Sequence, residues 1–65
     1  MNKQILIVLR EKLTDILTYT TYQVDKNKFN KYDWGVDAIV EGEDGKTRLL
    51  LIPWTNITRI EEVIS

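Results

Sequence analysis

The chain contains no cysteine and no histidine in its 65 residues. The first absence excludes disulfides and thiolate metal sites, and the second removes the other common zinc ligand. No long apolar run is present. Ile5 to Leu9 is an unbroken apolar stretch, but a signal-peptide core needs roughly 7 to 15 such residues and a membrane helix about 20. The expectation is a soluble, cytoplasmic protein. Nor is there an excess of charge of one sign: nine basic residues stand against ten acidic ones, for a net charge of −1. A nucleic-acid domain normally carries a basic surplus, because its affinity comes largely from neutralising phosphates. Internal repeats, low-complexity tracts and linkers are also missing, so residues 1–65 read as a single small α+β domain.

Absences of this kind leave a stability problem. A chain of this length buries only about 60% of the surface its unfolded form exposes. Small domains usually add disulfides, a structural metal or a partner chain, and here association with itself or another protein is the staple left.

Residues 3 to 19 fit an amphipathic helix. At 100° per residue, Ile5, Leu6, Leu9, Leu13, Ile16 and Leu17 share a face flanked by Val8 and Tyr19, with Ile7 as the one apolar intruder opposite. Asn2 is the N-cap of that helix. Thr18 to Val24 is rich in Thr, Tyr and Val and reads as a strand, and Asp25 to Asp33 reads as a polar loop. A hairpin follows, with Asp44-Gly45 as a two-residue type I′ turn. That turn sets Glu43 opposite Lys46, Glu41 opposite Arg48, Val40 opposite Leu49, Ala38 opposite Leu51 and Asp37 opposite Ile52. One face of the hairpin is then Val36, Ala38, Val40, Leu49 and Leu51, suited to packing under the helix. A bulge at the turn would shift the register by one residue and invert the faces. The tail, Thr58 to Ile64, has helical spacing and a capping-box pattern, but Pro53 to Ile57 reads as a tight turn into a closing strand. The strand is the favoured reading, because a lone two-turn helix is marginal.

Taken together, the fold expected is an N-terminal helix followed by a small curled antiparallel sheet of about four strands. The hairpin, the IPWTNI turn and the TRIEEV strand, over residues 36 to 63, resemble the ending of Sm-like and SH3-like small barrels. That resemblance implies a partial barrel in which a short 3-10 turn links the penultimate strand to the closing one. The lysine-histidine RNA-binding signature of bacterial Sm-like proteins is missing, so RNA binding is not carried over.

Four groups of residues invite a functional reading. On the register above, Ile39, Leu50 and Ile52 lie on the face the helix does not cover. With Trp54 at a strand end, they form a candidate protein interface, unless barrel closure covers them within one chain. The segment DKNKFNKYDWG interleaves Lys26, Lys28 and Lys31 with Phe29, Tyr32 and Trp34, a pattern that single-strand nucleic-acid binders use. Asp25 and Asp33 cut its local charge to +1. The same segment fails as a calcium loop, because the sixth position is Asn30 rather than glycine and the twelfth is Val36 rather than glutamate. Glu41, Glu43 and Asp44 are a hairpin tip kept soluble by charge, and no metal site or cofactor is expected. Asp33 and Asp37 could do acid/base work, but nothing supplies a nucleophile or a second catalytic group, so no enzyme is expected. The leading expectation is a non-catalytic protein-interaction module, most simply a homodimer. An inhibitor or adaptor of the kind encoded by phages and mobile elements fits the same features. The alternative is a single-stranded nucleic-acid binder.

Overall fold

The computed structural model describes residues 3–15, 17–42 and 44–64. Among them it has six strands: β1 (Lys3–Leu9), β2 (Thr21–Asp25), β3 (Phe29–Lys31), β4 (Gly35–Glu41), β5 (Thr47–Pro53) and β6 (Ile57–Ile64). They form two three-stranded antiparallel sheets, ordered β2-β1-β6 and β3-β4-β5. The α+β expectation is overturned, since the architecture is nearly all β and begins with a strand.

The run that fits the first turns of a helix is β1. Its burial alternates, with Ile5, Ile7 and Leu9 inside and Gln4, Leu6 and Val8 half-buried. Ile7, the misfit on the helical projection, is fully buried. The cause is tertiary pairing on both flanks: Ile7 sits opposite Tyr22 of β2 and opposite Ile60 of β6. β-branched Ile5, Ile7 and Val8 suit a pleated strand. Isolated helices of this length are marginal in water, so two ladders outweigh one helical stripe. The expected N-cap Asn2 and the face residue Ile16 lie outside the described residues.

Residues 10–15 and 17–20 form a connection instead of a helix. Its beginning is tied to the 54–56 turn: Arg10 N–H donates to the Asn56 carbonyl at 2.9 Å, and Glu11 N–H to Asn56 Oδ1 at 3.0 Å. Leu17 inserts into the core, with Leu13 packed against it. Of the strand expected over 18–24, residues 21–24 lie in β2, while 18–20 belong to the connection. The loop expected over 25–33 instead holds a 3-10 turn, Lys26–Lys28, that carries β2 directly into β3. The closing strand is present as β6, reached through a 3-10 turn at Trp54–Asn56.

The β4–β5 hairpin forms, but one residue out of the expected register. Val40 faces Arg48, Ile39 faces Leu49, Ala38 faces Leu50 and Val36 faces Ile52. The tip explains the slip. Gly42 N–H donates to the Lys46 carbonyl at 2.8 Å, and Gly45 N–H to the Gly42 carbonyl at 3.0 Å, with Gly45 at φ 80°. This is the pattern of a three-residue connection with a left-handed glycine, in place of a two-residue type I′ turn. The expected pairing of Glu43 with Lys46 involves Glu43, which lies outside the described residues. The inner face is therefore Val36, Ala38, Val40, Leu50 and Ile52, while Leu49 and Leu51 point outward. One core joins these side chains to Ile5, Ile7, Leu9, Tyr22, Val24, Phe29 and Ile57. At the other end of the hairpin, a Cβ on Gly35 would fall on the Ile52 carbonyl oxygen and 2.8 Å from Pro53 Cα. Only glycine lets β4 and β5 approach there.

Candidate protein-interaction surface

The one-residue register decides what the outer face of the β3-β4-β5 sheet presents. Ile39 and Leu49 are cross-strand partners and both are exposed, at 41% and 60%. Leu51, opposite Asp37, is 62% exposed. Paired side chains on one face stand about 4.5–5.5 Å apart at Cβ, so the three aliphatics form one strip. Pro53 continues it along β5.

An aromatic group stands at the end of this strip. The Tyr32 and Trp34 rings stack with centroids 5.2 Å apart and planes within 5°. Trp54 is held beside them, its Nε1 donating to the Tyr32 carbonyl at 2.9 Å and its backbone N–H to the Trp34 carbonyl at 3.2 Å. Asp37 fixes the near edge. Tyr32 Oη donates to Asp37 Oδ2 at 2.8 Å, and Asn30 Nδ2 to Oδ1 at 3.0 Å. That donated hydrogen bond, then partial desolvation and the neighbouring negative charge, raises the Tyr32 pKa above its ordinary value. The hairpin tip carries a bidentate ion pair, with Arg48 Nη1 and Nη2 on Asp44 Oδ1 and Oδ2 at 2.8 and 2.6 Å. Asp44 also accepts the Lys46 N–H, and its carboxyl is held far below the usual carboxylate range, chiefly by Arg48.

Of the four residues singled out as an interface, Ile39 and Trp54 are on the surface. Leu50 and Ile52 are in the core, covered by the chain itself, because the register turns them inward. Leu49 and Leu51 take their outward places. The signal for this was the glycine at 45 following Glu-Asp, which serves a left-handed position after a type I turn as readily as a type I′ turn.

The Lys/aromatic segment is dispersed. Phe29 is buried in the core, Lys26 pairs with Glu62 at 3.2 Å, and Lys28 lies 4.0 Å from Asp25. Lys31 ends β3, and Tyr32 and Trp34 beyond it belong to the aromatic group. Among the described residues no three carboxylates converge as metal ligands would, and no helix is long and apolar enough to cross a membrane. No family model, curated protein or solved structure matches this chain.

Proposed function

We propose that this chain is a non-catalytic protein-interaction module of the cytoplasm, binding through the outer face of the β3-β4-β5 sheet as an inhibitor or adaptor does. The observation that carries the reading is the Ile39–Leu49–Leu51 strip, left open to solvent on a domain whose other large aliphatics are mostly inside. Fully burying a leucine or isoleucine stabilises by about 1.5–3 kcal/mol, so covering this strip supplies several kcal/mol toward association. Tyr32, Trp34 and Trp54 beside it are of the residue types enriched at interfaces, and their backbone and side-chain hydrogen bonds hold them in place before a partner arrives.

Affinity capture with tagged chain, identified by mass spectrometry, tests the reading. Leu51→Lys places a charge in the middle of the strip without entering the core. Proteins retained by the wild type, untagged copies of the chain included, should be lost from the folded variant. Identical capture by both would place the interaction elsewhere and overturn the reading.

A further inference from the structure

We infer that the partner of this sheet is a second copy of the chain, joined edge to edge through β5 about a two-fold axis so that the leucines of the strip meet side by side across the join. The inference rests on the interaction reading above and specifies its partner.

The backbone of β5 provides the first argument. In an antiparallel pair, hydrogen-bonded and non-hydrogen-bonded residue pairs alternate. Gly42 bonds to Lys46 at one end of the β4–β5 ladder, and Trp54 bonds to Trp34 at the other. Even-numbered residues therefore carry the bonds between the two strands. The N–H and C=O groups of Thr47, Leu49 and Leu51 point away from β4, toward the edge where the sheet ends. The residues with exposed leucine side chains are thus the ones with outward-facing backbone groups.

Comparison of the sheet edges gives the second. Exposed edges are usually guarded by charge, shortness or a bulge. β6 carries Arg59 paired with Glu61, and Glu62 paired with Lys3 and Lys26. β3 has three residues, and β2 continues into it through the 3-10 turn. β5 is seven residues long, reads TRLLLIP, and its single charge, Arg48, is already tied to Asp44 of its own hairpin. It is the long unguarded edge among the described residues.

The third argument is the near-symmetry of β5 about Leu50. Antiparallel pairing centred there sets Leu49 of one copy against Leu51 of the other, twice. Each such pair exchanges both backbone hydrogen bonds, and Thr47 N–H reaches the Pro53 carbonyl at each end, where proline offers no donor. Four leucines then meet on the outer face, flanked by Ile39 from both copies. Arg48 falls opposite Ile52, so the two arginines do not meet. A two-fold contact of this kind uses one patch twice and closes on itself, giving a continuous sheet ordered β3-β4-β5-β5-β4-β3.

Sedimentation equilibrium and mixed-cysteine cross-linking test the inference. The wild type should sediment at twice 7.7 kDa at tens of micromolar. Leu51→Pro removes an outward N–H while sparing the ladder to β4, and should weaken dimerisation at least tenfold in a chain that stays folded by circular dichroism. Because the chain has no cysteine, Leu49→Cys and Leu51→Cys chains can be mixed without background. Facing residues of a hydrogen-bonded pair lie about 5.5 Å apart at Cα, within disulfide reach. Mild oxidation of the mixture should therefore give the 49–51 heterodisulfide in preference to either homodisulfide, a result that does not depend on the proline variant folding. A dimer that forms no such cross-link, yet is dissociated by Ile39→Lys, would mean face-to-face packing and would overturn the edge pairing while leaving the interaction reading intact. A monomer at all concentrations would overturn the second copy as partner; capture of other proteins lost in Leu51→Lys would then separate that failure from failure of the interaction reading.

Discussion

Val36 and Ile52 face one another across β4–β5, and neither has any solvent-exposed surface. The pair locks the base of the hairpin into the shared core, one strand position from the exposed Leu51. Ile52→Ala should destabilise the fold by about 2–5 kcal/mol, whereas Leu51→Ala should change it by no more than about 0.5 kcal/mol. Urea unfolding at a concentration where the chain is monomeric reads both values. Equal effects would mean that the register is wrong.

Gly35→Ala tests the close approach of the β4 and β5 backbones. The added Cβ would meet backbone atoms of Ile52 and Pro53, which cannot rotate away as a side chain could. A loss of roughly 1–3 kcal/mol is expected, typical of overpacking. Gly45→Ala differs in kind. No heavy atom stands within 4 Å, and only the φ of 80° is unfavourable. It should cost about 1–2 kcal/mol, recovered in part by Gly45→Asn.

The Asp44–Arg48 pair predicts a response to acid. The carboxyl is depressed in the folded state, so its contribution to stability is fully present above the unfolded-state pKa of about 3.9. It is lost as the pH falls from there toward the folded value. Thermal unfolding from neutral pH down through the acid range should show a smaller decline for Asp44→Asn than for the wild type. Identical slopes would show that the pair is not formed in solution.

Tyr32 predicts a response at the opposite extreme. A phenol donating to Asp37 resists ionisation, so the stability linked to it is present below about pH 10 and is lost as the pH rises through the folded value. In Asp37→Asn the Tyr32 titration, followed by absorbance near 295 nm, should move to lower pH. An unmoved curve would break the proposed link between the aromatic group and the sheet face.

These features differ in how much of them the residues display. The β-branched and aromatic content of Thr21–Asp25 and the Pro53–Trp54 turn into β6 are local signals, and local reasoning finds both. β1 is different, because Ile5, Leu6, Leu9 and Leu13 satisfy a helical period while Ile5, Ile7 and Leu9 satisfy a strand period. A short apolar run supports either, and what decides is the pair of partner strands far away in sequence. In the hairpin, the position of the turn is visible at Asp44-Gly45, but the connection length is not. One additional residue exchanges Leu49 and Leu51 for Leu50 and Ile52, and with them the interface for the core. Asp37 carries no sequence signal as an anchor for Tyr32, since the contact arises only when β3 pairs with β4.

The flanking of β1 by β2 and β6 has a consequence for how the molecule comes into being. Lys3 pairs with Ile64, so this ladder joins residues from opposite ends of the described chain. Loop closure over that span must precede any reward from the contacts, and such non-local pairing slows folding. The β4–β5 hairpin can form as soon as it is synthesised, but KQILIVL has to wait until residues near 64 have left the ribosome. Throughout that interval a β-prone apolar segment lacks one of its two neighbours. The nascent chain is then exposed to misassociation through β1, well before the finished protein presents β5.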